Sequence, residues 1–266
     1  MELQVKTMAE MAAAGDKPDV LFWVGCAGSF DQRAQKVTRA FVQILNKIGI
    51  KFAVLGTEES CTGDPAKRAG NEFVFQMLAL QNIEVMNGYG VQEIVTTCPH
   101  CFNILKNEYP QLGGKYKVKH HSQYLQELID QGRIKMAEGG SFKGKRITYH
   151  DSCYLGRANE IYEAPRKVLE QLDADLVEMK SCRTKGLCCG AGGAQMFKEE
   201  EHGKVRINQA RTDEALEVSP DIVAAACPFC NTMLSDGVKG KDMQANVKVY
   251  DIAELLAAGQ GLEGVL

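Results

Sequence analysis

No stretch of the sequence holds the ~18 consecutive apolar residues that a membrane-spanning helix needs. No basic excess is present either. The 31 Lys and Arg are balanced by 34 Asp and Glu for a net charge of −3, which argues against a nucleic-acid partner. The opening residues, Met1-Glu2-Leu3-Gln4, lack the cationic and apolar regions of an export signal. The expected compartment is therefore cytoplasmic and reducing, with any contact with a membrane made through a partner. There, clustered cysteines bind metal or do redox work more often than they form structural disulfides. Neither a G-x-G-x-x-G frame nor a Walker lysine occurs, so Gly190-Ala191-Gly192-Gly193 is a poor phosphate loop. At 266 residues and 45% apolar content, the chain can build either one large α/β unit or two domains of roughly 130 residues.

Cysteine is what the chain has in quantity and in order. Nine of its ten cysteines form two copies of one spacing pattern. The first copy is Cys26, Cys61, Cys98 and Cys101; the second is Cys153, Cys188, Cys189, Cys227 and Cys230. An offset of 127 residues relates Cys26 to Cys153 and Cys61 to Cys188, and one of 129 relates Cys98 to Cys227 and Cys101 to Cys230. Thiols kept in register across two half-chains are duplicated ligand sets, with one metal centre expected per half.

The intervening pattern repeats as well. Val20 to Gly25 is an apolar run of strand length leading into Cys26. Val37, Phe41, Ile44, Leu45 and Ile48 recur at helical spacing and predict a helix over 32–47. A strand over 51–55, a helix over 69–86 closed by Asn87-Gly88, and a strand over 93–97 that delivers Cys98 complete the unit. In the second half, strands are expected over 146–150, 175–179 and 222–226, and helices over 165–172 and 207–216. Each half closes alike: Lys117-Val118-Lys119 and Val247-Lys248-Val249 each precede a helix. The expected fold is α/β, with two pseudo-repeated Rossmann-like halves of mainly parallel sheet flanked by helices. Each half carries its cysteine cluster at strand ends along one sheet edge. Gly139-Gly140-Ser141 is the expected linker, dividing the chain into 1–140 and 141–266.

The second set offers five thiolates, two of them adjacent, whereas a tetrahedral zinc takes four. Five suit a multi-iron cluster better, and Gly190, Gly192 and Gly193 let backbone amides approach its sulfurs. In the first set Thr62 stands where the fifth cysteine would be, leaving four thiolates, enough for a cubane [4Fe–4S] cluster. Two other readings stay open. One is a structural zinc in each half. The other is dithiol chemistry at Cys98-Pro99-His100-Cys101, which follows a strand as thioredoxin-type motifs do.

These residues resemble the CCG-domain, or cysteine-rich-domain, family, C-x(n)-C-C-G-x(n)-C-x-x-C, over both halves from Asp19 to Leu256. The family includes the B subunit of heterodisulfide reductase and the iron–sulfur subunits of glycolate oxidase, lactate-utilisation and anaerobic glycerol-3-phosphate dehydrogenase complexes. Cys61-Thr62-Gly63-Asp64-Pro65 also looks like the corresponding region of iron–sulfur oxidoreductases associated with electron-transfer flavoprotein. The resemblance implies a noncubane [4Fe–4S] cluster on Cys153, Cys188, Cys189, Cys227 and Cys230, with Cys188 and Cys189 at the reactive centre. It implies a cubane or labile cluster on Cys26, Cys61, Cys98 and Cys101. It also implies an oxidoreductase acting on a small disulfide or another electron acceptor. The C-x-x-C-x-x-C-x-x-x-C-P runs of ferredoxins are absent. The electron donor is then expected to be a ferredoxin-like partner of the heterodisulfide reductase C type, which could itself meet a flavoprotein.

His150, three residues before Cys153, could supply protons beside the second cluster or simply be a strand-end histidine bonded to backbone. His100 is expected to be exposed at a helix start, and His120-His121 to be strand and loop. Cys182, outside the repeat, reads as an incidental thiol, and Trp23 as core. Arg157 and Arg183 could bind an anion but read as surface ion pairs, and Lys198 to Glu201 as a charged face.

Overall fold

The computed structural model describes residues 3–199, 203–262 and 264–266, so Glu200 and Glu201 of the charged face lie outside the described residues. Each half forms its own parallel sheet. The first half runs β1 (Lys6–Thr7), α1 (Met8–Ala13), β2 (Val20–Trp23), α2 (Gly25–Phe30), α3 (Gln32–Lys47) and β3 (Phe52–Val54). It continues with α4 (Asp64–Arg68), α5 (Glu72–Gly88), β4 (Glu93–Thr96), α6 (Pro99–Asn103), β5 (Lys117–His120) and α7 (His121–Asp130). The second half runs β6 (Arg146–Tyr149), α8 (Glu163–Leu169), β7 (Asp175–Leu176), α9 (Ile207–Glu217), β8 (Ile222–Ala225), α10 (Pro228–Gly240), β9 (Lys248–Asp251) and α11 (Ile252–Gly259).

Strand order is β1-β3-β2-β4-β5 in one sheet and β7-β6-β8-β9 in the other, every pairing parallel. Without β1 the two orders are the same, since β6, β7, β8 and β9 repeat β2, β3, β4 and β5. In each half the chain leaves the central strand to one side and returns to the other. The switch point between β2 and β4, or β6 and β8, therefore opens a crevice at the strands' C-terminal ends, where α/β folds place their sites.

Side-chain alternation sorts the strands between layers. Phe22 and Val95 point to one face of the first sheet, and Leu21, Trp23 and Ile94 to the other. In β8, Ile222 and Ala224 face the same shared core as Phe22, while Val223 and Ala225 face away from it. That shared core is continuous across the halves, joining Phe41, Ile44 and Leu45 of α3 to Val168 of α8 and Leu255 and Leu256 of α11.

Helix starts follow capping chemistry. Asp31 accepts the Ala34 N–H at 2.8 Å, and α3 spans the residues that its apolar spacing predicts. The helix expected from Ala69 instead starts at Glu72, because Gly70 takes a left-handed turn (φ +85°) and Asn71 supplies the cap. The helix expected from Pro165 starts two residues earlier, with Pro165 still in the first turn, where no intrahelical N–H is required. The strand expected over 175–179 pairs only through Leu176, as an edge strand bonded to β6 alone. The short β1, α1 and α2 were not expected. α1 is set by the reciprocal capping box of Thr7 and Glu10.

Candidate metal centre

The segments after β2, β3 and β4 carry Cys26, Cys61 and Cys98, with Cys26 in the short helix α2, and those after β6, β7 and β8 carry Cys153, Cys188-Cys189 and Cys227. Cys98 and Cys227 are the N-caps of α6 and α10, so Cys101 and Cys230 fall in the first turns beside them. Close thiol–thiol approaches join Cys26 to Cys61 and Cys98 to Cys101. In the second half they run from Cys153 to Cys188, Cys189, Cys230 and Cys227 in turn, with Cys189 and Cys230 sulfurs 3.3 Å apart. One further contact, between Cys98 and Cys227, joins the two sets. These two residues occupy equivalent positions in the repeat. Asp251, the N-cap of α11, also reaches across to His121, the residue after the matching N-cap His120 of α7, with Nε2 and Oδ1 2.9 Å apart.

The repeat extends to single atoms. The Gly63 N–H donates to Cys61 Sγ at 3.4 Å, and the Gly190 N–H to Cys188 Sγ at 3.3 Å, both glycines being left-handed (φ +87° and +92°). Where Cys189 touches Cys230, the buried Thr62 places its hydroxyl 3.9 Å from Cys101 Sγ. Threonine thus fills the fifth-thiol position with oxygen.

The match to the family described as CCG, cysteine-rich domain, covers residues 20–106 and 147–235. The chain belongs to the CCG cysteine-rich domain family. Its two CCG copies hold the nine repeated cysteines. It is 46% identical over 96% of its length to "Probable iron-sulfur-binding oxidoreductase FadF" of Bacillus subtilis, covering 36% of that protein. It is 45% identical over 91% of its length to "EtfAB:quinone oxidoreductase" of Syntrophomonas wolfei, covering 34% of it. It is 37% identical over 93% of its length to the D-type chain of the dihydromethanophenazine:CoB–CoM heterodisulfide reductase of Methanosarcina barkeri, covering 60% of that chain. The chain thus spans between about a third and three fifths of these relatives. Because the heterodisulfide reductase relative is of the D type, the motif does not single out the B type. A solved structure of a hypothetical protein from Helicobacter pylori shares the fold alone, at TM-score 0.58 and 8% identity, over 92% of this chain and 50% of that one.

Packed thiols repel one another's negative charge, and the CCG site concentrates it on few sulfurs. Bonds from Cys153 and Cys189, with the Gly190 N–H, push Cys188 down to about 2. The contact with Cys26 similarly brings Cys61 to about 7. Cys26 and Cys153 are held up, chiefly by those same contacts, and Cys189 is pushed up to about 12, first by Cys188. Nine crowded sulfurs that cannot all ionise among themselves call for cationic metal, and the donor set is all sulfur, as iron–sulfur ligation requires.

Around the CCG thiols the structure corrects two expectations, for His100 and for His121. His100 is buried, because the facing half covers it: its ring stacks on Tyr154 with centroids 4.2 Å apart and meets the Phe229 edge at 5.3 Å. Its Nδ1 pairs with the buried Asp64 at 3.0 Å, and Arg68 holds Asp64 from the other oxygen. His121 begins α7 rather than a loop, and both it and His120 are fully buried between the halves. His150 is bonded not only to backbone. Its N–H continues the ladder to Ala224 O at 2.8 Å, while its side chain meets Arg211.

Gly192 lies beside the second set, its missing Cβ 3.9 Å from Cys153 Sγ, whereas a Cβ on Gly193 would meet nothing within 4 Å. Cys182 belongs to neither contact set, and Trp23 is fully buried beside Cys98 and Cys101. Arg183 pairs with Glu163, and Arg157 donates to Gly186 O at 2.7 Å. Sequence reasoning gave no role to Asp64, Tyr154 and Arg211, because the histidine that each one meets lies far from it along the chain. A cleft of about 430 Å³ opens over Cys26, walled by Phe30, Met196, Phe197, Pro228 and Phe229.

Proposed function

We propose that the chain is the electron-transferring iron–sulfur part of a heterodisulfide-reductase-like oxidoreductase. The observation that carries this reading is the convergence of nine repeated thiols, joined through Cys98 and Cys227. Residues 1–140 and 141–266 each contribute one set. Cys153, Cys188, Cys189, Cys227 and Cys230 would hold a noncubane [4Fe–4S] group, and Cys26, Cys61, Cys98 and Cys101 a cubane one. Such groups, when bound, supply one-electron steps.

The chain's own residues supply what surrounds them. Gly63 and Gly190 turn left-handed to aim N–H groups at sulfur, and the Ser152 hydroxyl donates to Cys230 Sγ at 3.6 Å. Cys188 and Cys189 mark the reactive set, because only the second half carries the fifth thiol. Asp64, Arg68 and Tyr154 fix the His100 ring in the seam between the sets. The acceptor of that reactive set would be a small molecule, such as a disulfide. Electrons would arrive from a ferredoxin-like protein of the heterodisulfide reductase C type or from a flavoprotein. The relatives named for EtfAB and for heterodisulfide reductase support a multi-protein setting. No helix among the described residues is long and apolar enough to cross a membrane. We place the chain in the cytoplasm, reaching a membrane only through a partner; one relative is named "Probable membrane-anchored ferredoxin".

The test is anaerobic purification with iron, acid-labile sulfide and zinc measured together, followed by redox-poised EPR of wild type and Cys189→Ser. About eight irons, with one signal altered selectively by Cys189→Ser, support both groups. About four irons restrict the reading to one. Zinc without sulfide, after reconstitution has also failed, overturns it.

A further inference from the structure

His150 ends β6 and is fully buried, and its Nδ1 lies 3.0 Å from Arg211 Nε. A guanidinium can only donate, and it keeps its protons throughout the physiological range. Nδ1 must therefore present its lone pair, so the imidazole is neutral and its single proton sits on Nε2. That Nε2 is buried and has no hydrogen-bond partner among the described residues. A ring nitrogen of His150 lies within 4.8 Å of the sulfurs of Cys189 and Cys230. With Nδ1 occupied by Arg211, Nε2 is the nitrogen left for them.

Arg211 is held as firmly as it holds. It is fully buried, and its Nη1 donates to Ser181 O and to Glu214 Oε2, both at 2.8 Å. Glu214 also accepts the Ser181 N–H, tying α9 to the loop that leads into Cys188. Arg211 Nη2, like His150 Nε2, is a buried donor without an acceptor among the described residues. An orphan donor in a folded interior costs about 1–3 kcal/mol, and two on one bonded pair need an explanation.

We propose that Arg211 locks His150 in the Nε2–H tautomer so that this N–H donates to the sulfurs of the five-cysteine centre. The inference rests on the iron–sulfur reading above. It makes His150 a hydrogen-bond donor, neither a metal ligand nor a source of protons, and it makes Arg211 a positioning residue. An N–H aimed at sulfur stabilises the more negative, reduced state and so raises the centre's potential.

The experiment uses the full chain loaded with iron and sulfide, with [15N]histidine incorporated and both elements measured on every sample. Pulsed EPR reads the 15N coupling in the paramagnetic state of the second centre, and a redox titration reads its potential. The expected result is a weak coupling that persists in His100→Gln and vanishes in His150→Leu. The ratio of reduced to oxidised centre at a fixed potential should fall about tenfold in His150→Leu, equivalent to 59 mV for a one-electron couple. Arg211→Lys, which keeps the charge but loses the fixed Nε donor, should change the coupling at unchanged iron content. Should His150→Leu fail to assemble, the comparison of wild type with Arg211→Lys decides. A coupling of direct-ligand size overturns the proposal, as does a wild type with full iron and no histidine coupling, or one that Arg211→Lys leaves unchanged. Absence of sulfide in wild type removes the iron–sulfur reading itself, and the sulfide assay separates that outcome from the others.

Discussion

Thr62 and Cys189 hold equivalent places against Cys101 and Cys230, and there the first half presents a hydroxyl and a methyl where the second presents a thiol. Since the site already accepts a β-branched side chain of similar volume, Thr62→Cys should fold. It should bring the first centre's EPR signal toward that of the second; a spectrum unchanged at full iron content would mean that the fifth thiol does not define the second centre. The glycines separate in the same way. Gly190 and Gly193 are both left-handed, at φ +92° and +66°. A Cβ at Gly190 would sit 3.1 Å from the Ile207 Cβ, whereas one at Gly193 meets open space. Gly193→Ala should therefore cost only the backbone term of roughly 1–2 kcal/mol. Gly190→Ala should cost more and lower iron content as well, because the N–H to Cys188 Sγ moves with the backbone. Denaturation midpoints and iron assays on the two variants check the order.

At the scale of elements, strands and most helices were legible because burial on one or both faces imposes a period that the chain displays. The 16 residues of α3 are the clearest case. α9 is the instructive exception. Its apolar residues suggest that Ile207 faces inward, yet Ile207 is half exposed and the buried stripe is Asn208, Arg211, Thr212 and Ala215. The stripe is polar because it meets His150, Ser181 and the backbone of α10, and none of these partners is near it in sequence. The α9–α10 contact is close. A Cβ at Gly237 would fall 2.0 Å from Thr212 Oγ1. Gly237→Ala should force the helices apart at a cost of roughly 1–3 kcal/mol. It should also disturb the second centre, since α9 carries Arg211 and α10 carries Cys230. Loss of stability without any change in the second EPR signal would show that the two effects are separable.

At the scale of the whole molecule, the halves are fastened by charge as well as by the shared core. Arg33 of α3 forks onto Glu254 of α11, with Nη1 and Nη2 at 2.7 and 2.6 Å from its two oxygens. Glu254 is fully enclosed, and burial already pushes its carboxyl up against the opposing effect of Arg33. Arg33→Met would leave that carboxylate without its partner and should cost about 3 kcal/mol. A carboxyl raised in the folded state binds protons that the unfolded state releases, so folding stability falls as pH rises through the carboxylate range and above. The deficit of Arg33→Met should accordingly be larger at neutral pH than in mild acid. Urea titrations at the two pH values measure it, and a deficit that grows in acid would contradict the assignment.

The sequence by itself determined the duplication, the α/β alternation and the two sets of cysteines. These are periodic features, and periodicity is written along the chain. The oxygen in place of the fifth thiol was legible too, because the offset between halves places Thr62 opposite Cys189. Only the tertiary structure decided that the two sets approach each other, because Cys98 and Cys227 come together at the seam between the halves, which no spacing encodes. The same is true of His100, exposed by the logic of its own helix start and buried by Tyr154 and Phe229 of the other half. It is true again of His150, whose tautomer is set by an arginine 61 residues away. A local pattern specifies which face of an element is covered, whereas the identity of what covers it is a property of the folded pair.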